Sequence, residues 1–490
     1  MTIGQVELGK VKAQQPQFSI NGNLNCIKYD SVKRMIIISC KSSTLTDVSN
    51  KINNYAILDK QPNGVWVLNS NITINPGASL TIDPKDTTWL KIISDEKTLA
   101  YGIHIKGSLK IDSVKVTSWN PQTNNFAMSY GSRERSFDVT PDCGYNCPIE
   151  VRDLLTHHGA PRPYLMVEPR ATGTTNITNS YIGYLGYEAG WGKKQEGLHY
   201  NAGDGSIIRN NNFDHLYFGF YSVGIGNIII ENNLIHNSGH YGIDPHTGTH
   251  DMIIRNNTVY NNNGTAIICS LDCYNIVFDA NKIHDNNGAG ISFSRNTSNS
   301  IARNNIISNQ ETPLEISNSH NDDVYGNIIS KTTNSTGISI KSASSGNKVH
   351  DNTMTNVESG IELRNATNNI VYSNTISKTI LPAISLKDAS TGNKIYSNTL
   401  ENVPSGLKSD PDSTNNMIGS NKISLSSSSN ALGISQVSNT IVKGTDTTSS
   451  KDVKTKDATT SAKKTKDATT STTSAKKTKN IAPSAKSEDG

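Results

Sequence analysis

An all-β chain folded as a right-handed parallel β-helix is the fold class this sequence predicts, and three observations carry the prediction. The composition disfavours helix: of 490 residues only 34 % are hydrophobic, 18 % charged and 6 % aromatic, and Asn, Ser, Thr, Gly and Ile dominate the balance. Asn, Ser and Thr compete for backbone hydrogen bonds in turns, while β-branched residues suit pleated strands. A strand followed by an Asn pair then recurs. Asn227-Ile228-Ile229-Ile230-Glu231-Asn232-Asn233, Asp251 to Asn257 and Asn275 to Asn281 lie 24 residues apart, with looser copies ending at Asn305, Asn352, Asn374 and Asn398. Finally, a second strand opens within each unit on Gly-Ile, as at Gly242-Ile243, Gly290-Ile291, Gly337-Ile338 and Gly360-Ile361. Two or three short strands per 22–25 residues make one coil of a β-helix, and no apolar run has the 3.6 period of a helical repeat.

The elements follow in order. Residues 1–60 read as an amino-terminal cap, with Leu45 to Asn54 as the polar plug that a first coil needs over its exposed core and edges. Coils resume near Gly64-Val65-Trp66 and run through 61–443, about 14 of them at ~4.8 Å per coil. Asn at one corner predicts a ladder in which each amide bonds the next coil's backbone, and Asn also tolerates left-handed turns. Residues near 120–160, with Pro121, Pro141, Pro148, Pro161 and Pro163, break the period as an excursion. Residues 444–490, rich in Lys, Thr and Ser, are expected to be disordered.

That tail carries ten Lys against six acids, which equals the whole formal charge of +4, so the rod itself is neutral. Neither a nucleic-acid partner nor a global attraction for polyanions follows. No apolar run approaches the length of a membrane span, and residues 1–10 lack the apolar core of a secretory signal. Six cysteines, at 26, 40, 143, 147, 269 and 273, favour disulfides over a zinc site, and with them an extracellular or cell-envelope location. No metal or other cofactor is expected: calcium-binding Gly-Gly-x-Gly-x-Asp repeats are absent. A monomer is expected.

Alternate strand residues point outward, and equivalent positions on successive coils form columns. With Ile243 inward, by its match to Ile267 and Ile291, Asp244 and His246 are expected to face solvent on one sheet. One coil back, Phe218-Gly219-Phe220-Tyr221 puts Tyr221 in the column of Asp244, and a further step adds His199; His240 and Tyr241 stand just before the strand.

The run Tyr241-Gly242-Ile243-Asp244-Pro245-His246 resembles the Tyr-Gly-x-Asp-Pro-His motif of the mannuronan C5-epimerases, β-helix enzymes that convert mannuronate to guluronate within alginate. Tyr181 to Tyr187, Phe218 to Tyr221 and the Asp-Pro-His strand also follow the order and approximate spacing of the periplasmic bacterial members, over roughly residues 60–300. The resemblance implies an anionic polysaccharide as partner, His246 and Tyr241 as base and acid, and Asp244 as a group that orients His246 or bonds the sugar carboxyl. Tyr221 and His199 would line the substrate. Epimerisation removes the C5 proton beside a carboxylate, so a cation must quiet the developing charge. Where the relatives place an Arg this chain has Leu271 or Asp272, leaving Arg295, Arg255, Lys193 and Lys194 as the candidate cations. A lyase, which shares the first step and then expels the C4 oxygen, and a non-catalytic carbohydrate-binding or envelope β-helix are the competing readings.

Overall fold

The computed structural model describes residues 24–95, 100–128, 161–187, 195–332, 335–426 and the strand fragments 434–435 and 440–442. The expected excursion falls largely, and the expected tail wholly, outside the described residues. Within them the chain winds through about 13 turns of a right-handed parallel β-helix. Three sheets of 16, 15 and 14 strands form its faces, each strand pairing with the equivalent strand one coil away. Among the described residues two pairs of strands run antiparallel, both at the amino-terminal end: Ile27–Asp30 with Met35–Ile38, and Leu58–Gln61 with Val65–Leu68.

A helix, Leu45–Ile52, packs by Leu45 and Val48 over that end. Thr44 and Asp47 close a capping box at its start, and Asn53 ends it at φ 46°. A disulfide joins Cys26 to Cys40, while Cys269 and Cys273 are buried free thiols. Cys143 and Cys147 lie outside the described residues.

The core is narrow and built from columns. Ile243, Ile267, Ile291, Leu314, Ile338 and Ile361 stack in register and are fully buried. One corner is held by ten asparagines: 211, 233, 257, 281, 305, 327, 352, 374, 398 and 421. At each step one Oδ1 accepts both the backbone N–H and the side-chain amide of the preceding asparagine, as Asn281 does from Asn257 at 3.0 Å each. The first residue of each Asn pair has the other task. Asn210, Asn232, Asn256 and Asn304 adopt φ of 55–58°, the left-handed region that turns the corner.

A second corner runs through Asn347, Asn369, Asn393 and Asn416 but begins at Asp322. Asp322 Oδ1 accepts from Ser300 N–H, whereas Oδ2 is buried without a partner where an asparagine would place its NH2. Burial pushes this carboxyl well above the usual carboxylate range.

Two stability predictions follow. Asn281→Ala orphans buried donors on Asn257 and should cost roughly 2–4 kcal/mol in urea unfolding. Asp322→Asn should stabilise the rod at pH 7 by about 1–3 kcal/mol. An acid whose folded pKa is raised penalises folding only where it would ionise in the unfolded chain, so this gain should shrink as pH falls through the ordinary carboxylate range.

Candidate functional site

The site grows from one strand of the sixteen-stranded sheet. Backbone register pairs His199 with Tyr221 and Tyr221 with Asp244, so the three stand in one outward column on strands Gly197–Tyr200, Phe218–Val223 and Ile243–His246. Pro245 restrains Asp244 to extended backbone. A bulge between Gly197 and His199 gives the facing strand an extra residue. Beside it Phe218 lies 5.2 Å from Tyr221 and 5.7 Å from Tyr241, and stacks on His240 at 4.7 Å.

The expectation that Asp244 and His246 both face solvent needs correction. Asp244 points away from the core but is only 1 % exposed, and His246 is partly buried. Groups from the coils on either side close over the column. Burial pushes the Asp244 carboxyl well above its usual range; Cys273 and Glu196 push the same way, and Arg295 opposes them. Its Oδ1 is buried without a hydrogen-bond partner. Burial also raises the Tyr221 phenol, with Asp244 and Glu196 adding to it.

His246 sits 5.5 Å, ring to ring, from Tyr221, and its Nδ1 lies 2.5 Å from Thr247 Oγ1. Burial, and after it the charge of Arg295, holds its imidazole down to about 4. The ring is therefore neutral at neutral pH, the form that accepts a proton. His199 is buried with both ring nitrogens engaged, Nδ1 at 2.6 Å from Glu196 Oε2 and Nε2 at 3.1 Å from Asn201 Oδ1. Its ring meets Tyr221 at 4.8 Å, so it supports the tyrosine rather than presenting a nitrogen outward.

The candidate cations separate. Leu271 occupies the coil after Thr247, and Arg295 the coil after that, through the bonds from Thr247 N–H to Ser270 O and from Leu271 N–H to Ser294 O. Arg295 and Asn296 both adopt left-handed backbone, φ 54° and 67°. From there the exposed Arg295 guanidinium acts on Asp244, Tyr221 and His246 alike. Arg255 is not at the site: it lies on the fourteen-stranded sheet, with Nε 2.6 Å from Glu231 Oε2. Lys193 and Lys194 fall outside the described residues. Sequence reasoning missed Glu196, three residues before His199, and Cys273, whose thiol donates to Pro245 O at 3.3 Å beneath the strand.

Known proteins point the same way. The family model described as a right-handed β-helix region matches residues 169–329, and that of the periplasmic copper-binding protein NosD matches 313–416. The NosD-like stretch does not fit copper. Both His350 nitrogens meet carboxylates, of Asp323 and Asp351; His320 Nδ1 meets Ser345 Oγ; and no group of three or more His, Cys, Asp or Glu among the described residues could hold a metal ion. A mannuronan C5-epimerase from Pseudomonas aeruginosa is 25 % identical over 254 residues, 50 % of this chain and 42 % of that protein. The match thus spans less than half the length of that relative. Crystal structures of the periplasmic alginate epimerase AlgG and of a mutant of it cover 80 % of this chain and 85 % of theirs at 20 % identity, with TM-scores of 0.55 and 0.57. They share the fold. In sequence and in architecture this chain is similar to the mannuronan C5-epimerases.

Because burial and Arg295 both disfavour the imidazolium, Arg295→Gln should raise the His246 pKa from about 4. Histidine NMR titration reads this directly.

Proposed function

We propose that this protein is a C5-epimerase of a uronate-containing polysaccharide, of the mannuronate-to-guluronate type. The observation that carries the reading is a neutral imidazole and a tyrosine at the two ends of the Asp244 strand, with Arg295 acting on the groups between them. The sugar's carboxylate approaches the Arg295 guanidinium, and the raised carboxyl of Asp244, in its protonated form, donates to it rather than repelling it. His246 Nε2 removes the C5 proton, and the electron pair moves into the carboxylate as an enolate. Tyr241 returns a proton to C5 from the opposite face, and the phenolate and imidazolium then exchange their proton with solvent. Inversion requires donor and acceptor on opposite faces of the ring. Tyr241 and His246, at either end of the Asp244 strand with Phe218 and Tyr221 on the facing coil between them, can flank a sugar in that way. The P. aeruginosa relative supports the substrate class, and the periplasmic location printed for AlgG supports a cell-envelope site of action.

Incubation with polymannuronate in heavy water tests the reading. Deuterium should enter C5 without chain cleavage; unsaturated, ultraviolet-absorbing ends would show a lyase instead. His246→Ala and Tyr241→Phe should each lower kcat by about 10²–10⁴-fold. Arg295→Gln should lower it about 10²–10³-fold with circular dichroism unchanged.

A further inference from the structure

The fifteen-stranded sheet carries a second concentration of chemistry, on coils that precede His246. Strands Trp89–Ile93, Lys115–Trp119 and Tyr181–Gly183 pair in parallel, setting Lys115 between Trp89 and Tyr181, and Lys91 opposite Thr117. Leu90, Ile92, Val116 and Ile182, the residues that alternate with them, are fully buried, so Trp89, Lys91, Lys115 and Tyr181 point outward. Lys91 Nζ lies 4.3 Å from the centre of the Trp89 ring and 3.6 Å from that of Trp119. Lys115 Nζ lies 4.2 Å from Trp89, 4.8 Å from Phe126 and 5.1 Å from Tyr181.

The lysine ion pairs among the described residues belong to Lys60, Lys110, Lys341 and Lys387, not to these two. A ring face positions an ammonium without neutralising it. Two like charges held side by side therefore remain unbalanced, and burial, together with Lys91 acting on Lys115, makes each easier to deprotonate than an ordinary lysine. Next to them Phe126 stacks on Tyr184 at 4.3 Å and Tyr184 on His215 at 4.8 Å. His215 in turn borders a recess of about 340 Å³ lined by Asn237, Asn261, Asn262, Asn263 and Asp285.

We propose that Lys91 and Lys115 form a second, non-catalytic site that binds a carboxylate of an acidic polysaccharide. The paired ammoniums match the carboxylate, the rings around them lower the local dielectric, and the amide-rich recess beyond His215 suits the hydroxyls of adjoining sugars. The choice of a uronate polymer rests on the function proposed above; the cation pair itself does not.

Calorimetric titration of a defined oligomannuronate into the full chain, and into Lys91→Gln/Lys115→Gln, tests the site. The double variant should lose one binding event, or weaken it by at least about ten-fold, whereas Lys91→Arg/Lys115→Arg and His246→Ala should keep it. If the double variant loses its native circular dichroism, the two single Gln variants carry the test. Unchanged stoichiometry and affinity in the Gln variants overturns the proposal. So does equal binding of the uncharged mannan oligomer, and equal binding of inorganic phosphate would reduce the site to one for bare anions and overturn its assignment to a sugar. A chain that binds the oligomer through these lysines yet incorporates no deuterium at C5 keeps this site while the epimerase reading falls.

Discussion

Everything in this molecule depends on keeping consecutive coils in register at one strand spacing. The asparagine corner enforces it. Each amide oxygen takes two donors from the preceding asparagine, so a slip by one residue would strand several buried donors at once. The core columns of Ile and Leu add burial but would tolerate exchange with one another; the amide ladder would not. Rigidity of register is what allows side chains far apart in sequence to act as a unit on the outer face.

The site uses that rigidity in an unusual way for charges. A carboxyl, a phenol and an imidazole crowd a column where water is largely excluded, and each is pushed toward its neutral form. An exposed guanidinium, two coils from Thr247, brings a persistent positive charge. Such a surface suits an anionic ligand: the carboxyl in the column is biased toward its neutral form, and the ligand's own charge meets one cation. Glu196 is the exception nearby: it is paired with His199, and its charge still acts on Asp244 and Tyr221.

Much of this was legible in the sequence because the repeat is written in residues with one physical task each. The Asn pairs give both the left-handed corner and the ladder, and matching the outward strand residues from coil to coil was enough to align His199, Tyr221 and Asp244 correctly. Burial was not legible. The groups that act on Asp244 come from other coils: Glu196, two strands back in the sheet, Cys273, and an arginine two turns beyond Thr247. Arg255 was misplaced for a related reason: proximity in sequence does not say which of three sheets a residue joins. A signal did exist. Glu231, Arg255, Asp279 and Arg303 alternate in sign at 24-residue intervals, the mark of a charge ladder satisfied within itself.

The left-handed Arg295-Asn296 corner bears on how such a protein can evolve. A solenoid gains and loses whole turns readily, because any excision of one repeat length rejoins matching columns. Here the guanidinium and the imidazole it influences belong to different turns, so removing the intervening one, which bears Leu271, would preserve the architecture while moving the arginine a full step along the rod. Architecture and chemistry are thus inherited at different grain: lineages that duplicate or delete turns would keep the scaffold while resetting the distance between cation and imidazole.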